Sequence, residues 1–218
     1  MSKGKTGRNR VAFARKRPFK DPNATILIVC EGENTEPDYF RRFRVANATI
    51  EVVGTGFNTV SLVRRAIELN QRDRYDQVWC VFDKDDFGAG VFDNAIQLAE
   101  AKGLHAAWSN QAFEYWLILH FEDHQGGGMP RALYDQKLNA HLAAFGLKYD
   151  GRRSKRVTRE LFEVLAGMDA GGRKSRQELA IERSVRNLAR HGERPPSQKE
   201  SATTVHRLVE VLLGFKHG

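Results

Sequence analysis

Thr25-Ile26-Leu27-Ile28-Val29-Cys30-Glu31-Gly32 and, about fifty residues later, Val78-Trp79-Cys80-Val81-Phe82-Asp83-Lys84-Asp85-Asp86 decide the fold. Each is a short apolar run, β-branched or aromatic, too short for a helix and closed by an acid. Runs of this kind are strands buried on both faces, as in a parallel sheet. In open α/β sheets ligands sit beyond the carboxyl ends of the strands, so the closing acids are expected on one rim. Carboxylates brought together repel one another. A hard divalent cation such as Mg²⁺ or Mn²⁺, completed by water or substrate phosphate, would hold them.

Working outward, the pattern from Asn23 to about Asp123 alternates strand and helix. Thr35 is expected to cap a helix that carries Glu36, Pro37 and Asp38 in its first turn and Tyr39, Phe40 and Phe43 on its apolar stripe. Thr49 to Val53 gives a second strand, and Asn58 caps a helix with Val60, Val63 and Ile67 at helical spacing. Gln77 to Phe82 is the third strand, residues 91 to 102 a helix, Leu104 to Trp108 the fourth strand, and Gln111 to Phe121 an apolar helix. Strands separated by helices imply parallel βαβ units. After Gly126-Gly127-Gly128-Met129-Pro130 strand signals vanish, and residues 131 to 146, 156 to 166, 175 to 190 and 203 to 213 are predicted helices. The predicted fold is α/β, an open parallel sheet of about four strands with flanking helices, plus a helical C-terminal half. The corresponding division is a basic, disordered tail over 1–22, an α/β domain over 23–124 and a helical subdomain over 129–218.

The formal net charge of +8 is concentrated at the N-terminus. Lys3, Lys5, Arg8, Arg10, Arg15, Lys16, Arg17 and Lys20 account for all of it, and no acid lies among them. Residues 21–150 hold 12 basic and 19 acidic residues, and residues 151–218 hold 15 and 8. An acidic centre between basic flanks suits a polyanion gripped at its edges, so nucleic acid is the expected partner. There is no run of eighteen apolar residues and no signal peptide, which places the chain in the cytoplasm without a membrane partner. Cys30 and Cys80 fall inside predicted strands as small hydrophobes, with no disulfide or zinc cluster expected.

The candidate metal ligands are Glu31, Asp83 and Asp85, because Asp83 and Asp85 share a face if the extended chain continues; Asp86 faces away and stands in reserve. Glu36 would fold back toward the site across Gly32, or simply cap its helix. Asn110 begins the segment after the fourth strand, as a catalytic group or as a cap. Glu114 lies among Phe113, Trp116, Leu117, Ile118 and Leu119, where an unpaired carboxylate is costly to bury and a metal, a substrate group or an arginine would relieve the cost. His120 and His124 have i, i+4 spacing but no third ligand for zinc.

Val29-Cys30-Glu31-Gly32 followed by Asp83-Lys84-Asp85 resembles the acidic signature of Toprim domains, a Glu after the first strand and an Asp-x-Asp after the third, over roughly residues 24 to 122. More narrowly, Glu31-Gly32-Glu33-Asn34-Thr35-Glu36, Phe82-Asp83-Lys84-Asp85-Asp86, Asn110-Gln111-Ala112-Phe113-Glu114-Tyr115-Trp116-Leu117 and Ser201-Ala202-Thr203-Thr204-Val205-His206 resemble the RloB-like family of restriction-modification and phage-defence loci. The resemblance implies a divalent metal, nucleic acid as substrate, a partner ATPase from the same locus and Glu114 in the active centre; a homo-oligomer is compatible with it. It leaves the reaction open. A topoisomerase needs a tyrosine-bearing gate domain and a primase further domains, whereas phosphodiester cleavage needs an acidic cluster, a water and an electrostatic grip. The expectation is a nuclease acting as a toxic defence effector. The alternatives are a catalytically inactive module that binds nucleic acid or scaffolds the ATPase, and a phosphatase or nucleotide hydrolase, for which no Walker-type loop exists.

Overall fold

The computed structural model describes residues 24–45, 48–85, 88–124 and 127–214. The basic tail and Asp86 lie outside the described residues. The chain folds around a sheet in which β1 (Ala24–Cys30) pairs with β2 (Ala48–Gly54) on one side and β3 (Gln77–Asp83) on the other; β4 (His105–Asn110) and β5 (Ala202–Thr203) complete it. The order is β2-β1-β3-β4-β5, parallel except for β5, which runs antiparallel to β4. The crossovers run outward from β1 in opposite directions, to β2 and to β3, so a switch point lies between β1 and β3.

Both apolar runs are buried as their composition demands. Ile26, Ile28, Cys30, Trp79 and Val81 face one layer, and Leu27, Val29, Val78, Cys80 and Phe82 the other. The second layer is α2 (Thr59–Asp73) and α3 (Ala89–Ala101), packed through residues such as Leu62, Ala66, Phe92 and Ile96. Asn58 caps α2 as predicted, its side chain accepting from the Ser61 amide at 3.2 Å. The first layer holds α1 (Thr35–Phe40), α4 (Glu114–Leu119), α5 (Tyr134–Leu142), α6 (Arg159–Ala166), α7 (Arg176–Arg190) and α8 (Val205–Leu212). Tyr134, Leu138, Val157, Leu161, Ile181 and Leu208 from the C-terminal half share one apolar cluster with β1, β3 and α4. Burial of each such side chain contributes about 1.5–3 kcal/mol, so this half is fastened to the sheet face.

Three local expectations are corrected. The C-terminal half contains a strand, β5, that adds a fifth member to the sheet; its two residues are too few to show a period. The helix predicted from Gln111 begins at Glu114, and the Phe113 amide just ahead of it donates to Asp83 Oδ2 at 3.0 Å, as an unsatisfied amide at a helix start can. Thr35 does not cap α1. Asn34 holds the cap position without a side-chain bond, and the Thr35 hydroxyl is engaged elsewhere. Among the described residues no helix is long and apolar enough to cross a membrane.

Candidate active site

Beyond the carboxyl ends of β1 and β3, at the switch point, lies a cavity of about 330 Å³. Its walls include Glu31, Glu36, Asp83, Asp85 and Glu114 together with Arg131 and Lys155. The β1–β3 ladder extends one step through the Glu31 amide, bonded to the Val81 carbonyl at 2.9 Å, and the Asp83 amide then donates to Glu31 Oε2 at 3.1 Å. These two bonds fix Glu31 beside Asp83. Gly32 lets α1 turn back: a Cβ at this position would collide with the Glu36 carboxylate. The Gly32 amide lies 3.4 Å from Glu36 Oε1, so Glu36 does fold toward the cavity.

Asp83 is buried; Oδ2 accepts from the Phe113 amide, while Oδ1 is buried without a hydrogen-bond partner. An orphaned carboxylate oxygen of this kind calls for an explanation such as an ion. Asp85 reaches the cavity by a different route from the one expected. β3 ends at Asp83, the Lys84 amide donates to Ser109 and that of Asp85 to Gln111, and Asp85 takes a left-handed φ of 43°. A turn, not continued extension, brings it in, and there it is ion-paired with Arg131.

Among the described residues Glu114 is met by a phenol, not an arginine. Its Oε1 accepts from Tyr149 Oη at 2.8 Å, Tyr149 Oη lies 2.9 Å from Thr35 Oγ1, and Thr35 Oγ1 donates to the Lys155 carbonyl at 2.9 Å. Three contacts in series share two hydroxyl protons. The chain is fully bonded only when Glu114 carries a third.

Electrostatics point the same way. Burial pushes Glu36 up to about 7, with Glu114 and Glu31 adding repulsion. Burial, then Glu36 and Glu114, raises Asp83 well above the carboxylate range. Glu31 and Glu114 are also raised, chiefly by burial. A cluster so arranged favours protons or a cation over free negative charge. As placed, no group of three His, Cys, Asp or Glu among the described residues is drawn together closely enough to hold an ion. The donor chemistry nonetheless fits a hard divalent cation, since the cavity offers carboxylate oxygens including the unpartnered Asp83 Oδ1.

Asn110 is not brought to the cavity. Its amide donates to the carbonyls of Pro196 and Ser197, each at 3.1 Å, tying the end of β4 to a C-terminal turn. His120 is buried; Nδ1 donates to the Trp116 carbonyl and Nε2 accepts from Tyr39, and burial lowers its pKa to about 3. Sequence reasoning did not find Arg131, Tyr149 or Lys155. The one available signal was the basic loop Gly151-Arg152-Arg153-Ser154-Lys155, whose contact partner Thr35 is 120 residues away from Lys155.

The fold and the cavity define an α/β protein with a recessed carboxylate centre at the switch point of its sheet. The model of the RloB-like protein family matches residues 26–212, and the chain belongs to that family. No curated protein and no solved structure matches it.

Proposed function

We propose that this RloB-like protein is a divalent-metal-dependent nuclease with a Toprim-type centre, acting in the cytoplasm as the toxic effector of an anti-phage defence system beside a partner ATPase. The observation that carries the reading is Asp83 Oδ1, buried without a partner at a cavity that Glu31 and Glu36 also line. Asp83 and Glu31 would hold Mg²⁺ or Mn²⁺, joined by Asp85 once Arg131 lets it go. The cation, when bound, would act as a Lewis acid on the phosphodiester and neutralise its charge. Glu36, with a pKa of about 7, is matched to accept a proton from the attacking water near neutral pH. The water oxygen bonds to phosphorus, the P–O bond to the leaving oxygen breaks, and that oxygen is protonated from solvent. Glu114, oriented by Tyr149, is a further catalytic carboxyl of the same cavity, and Arg131 offers its charge to the displaced phosphate.

The test is incubation of the purified chain with RNA and DNA in Mg²⁺, in Mn²⁺ and in EDTA, with Asp83→Asn as control and Mn²⁺ binding followed by calorimetry. Cleavage that needs metal and is lost with Asp83 is expected. No cleavage together with equal Mn²⁺ binding by both proteins would overturn the reading. The second reading, a catalytically inactive module that binds nucleic acid or scaffolds the ATPase, is favoured by one observation: Arg131 already pairs with Asp85.

A further inference from the structure

Among the described residues four that are not glycine have positive φ, Arg74, Asp85, Lys155 and Ser201, and two of them, Asp85 and Lys155, line the carboxylate cavity. At φ 47° the Cβ of Lys155 crowds its own backbone, a conformation that persists only where the surroundings over-determine it. They do so here. The Lys155 amide donates to the Asp150 carbonyl at 2.8 Å, and its carbonyl accepts from Thr35 Oγ1 at 2.9 Å. The next residue, Arg156, is ion-paired with Asp38 at 2.6 Å, and Val157 is buried in the core. Every one of these contacts could be kept by a glycine at position 155. Lys155 lines the cavity, its charge acts on the Glu114 carboxyl there, and its ammonium has no ion pair among the described residues, unlike the Arg131 guanidinium.

On the reading of the cavity as a nuclease centre, we propose that Lys155 is a catalytic residue that contacts the non-bridging oxygens of the scissile phosphate, in the same cavity as the orphaned Asp83 Oδ1. A lysine ammonium is a compact point charge suited to a phosphate in an electrostatic transition state. The same loop presents Arg152 and Arg153, with Lys148, on a separate cavity of about 680 Å³, where they outnumber Asp135 and Asp150, so the loop carries further positive charge that a polyanionic strand would meet. The competing role for Lys155 is a counter-ion that quiets the carboxylates until metal arrives; such a role ends when metal is saturating.

The experiment uses the full chain with Lys155→Gly, Lys155→Asn and Lys155→Arg, in saturating Mg²⁺. Glycine and asparagine both tolerate positive φ, so Tm should stay level or rise by up to about 4 °C. Single-turnover cleavage should fall about 100-fold or more in both, as for loss of one charge-stabilising donor, with Mn²⁺ affinity held within about threefold and Lys155→Arg recovering most of the rate. Cleavage within about threefold of wild type overturns the proposal and leaves the nuclease reading intact. Loss of cleavage in step with Mn²⁺ binding or Tm also overturns it, assigning Lys155 to the scaffold. Should the wild type cleave nothing, the nuclease reading falls, and anisotropy of a fluorescent single-stranded oligonucleotide in Mn²⁺ decides: about tenfold weaker binding by Lys155→Gly keeps the phosphate contact, and equal binding removes it.

Discussion

Glu36→Gln should stabilise the metal-free protein at pH 7.5 and leave it unchanged at pH 5. The Glu36 carboxyl, with an ordinary value of 4.5, is pushed to about 7 in the folded chain, mainly by burial. A folded-state value above the unfolded one means that the protonated form is favoured by folding. The contribution is complete below about 4.5 and is lost as pH rises through about 7. Between pH 5 and 7.5 it amounts to roughly 2.5 kcal/mol, at ~1.36 kcal/mol for each tenfold difference in proton affinity. His120 acts in the opposite sense: its folded value of about 3 lies below its ordinary 6.5, so its penalty grows as pH falls below that value. The raw Tm of the wild type therefore mixes two slopes. The difference between wild type and Glu36→Gln removes the histidine, because glutamine keeps the shape of the carboxyl without its titration. In EDTA the variant should melt about 5–10 °C above wild type at pH 7.5, with the gap closing at pH 5. Mg²⁺ at about 100 times its Kd should restore roughly 2.7 kcal/mol to the wild type, and less to the variant. An equal gap at both pH values, or a variant less stable than wild type at pH 7.5, would refute the burial of an ionising carboxylate at this position.

Three further substitutions separate scaffold from chemistry. Gly54→Ala should lose about 1–3 kcal/mol in urea unfolding, since its Cβ would meet the Gly32 carbonyl oxygen at 2.8 Å and Glu33 Cα at 2.9 Å, backbone that cannot give way; Gly32→Ala, which meets only the Glu36 side chain, should keep most of its stability but bind Mn²⁺ at least tenfold more weakly. Glu114→Gln should abolish cleavage and cell toxicity while Tm holds, because the amide oxygen still accepts from Tyr149; full activity would defeat the catalytic assignment, and inactivity explained by melting would make the role structural.

The strands and most helices were legible because burial writes directly into composition. β1 and β3 are covered on both faces, so every residue from Ile26 to Cys30 and from Val78 to Phe82 is apolar. Capping wrote Asn58 into the start of α2 just as plainly, whereas Thr158 and Ser175, which cap α6 and α7, were not singled out and the predicted start of α6 fell at 156. Where a side chain found a distant partner, the local rule failed. Thr35 looks like a cap but spends its hydroxyl on Tyr149 and Lys155, and the Phe113 amide at the start of α4 is satisfied by Asp83, thirty residues away. Glu31 and Asp83 could be placed together at one rim from sequence because one follows β1 and the other closes β3, neighbouring parallel strands.

The remaining walls of the cavity were not legible, and the reason is physical. Arg131, Tyr149 and Lys155 come from beyond the glycine-rich break, and nothing in their spacing relates them to Glu31 or Glu114. Only the apolar packing of Tyr134, Leu138 and Val157 against the β1–β3 face sets that half where Tyr149 can receive Glu114. Without it, Glu114 would sit on α4 with its hydrogen-bond partner gone, at a cost of about 1–3 kcal/mol for a buried unsatisfied polar group and more for a charge. The carboxylates thus come from the strand ends and from α1 and α4, while Asp85 and Glu114 take their partners Arg131 and Tyr149 from the helical half, so the centre belongs to neither part alone.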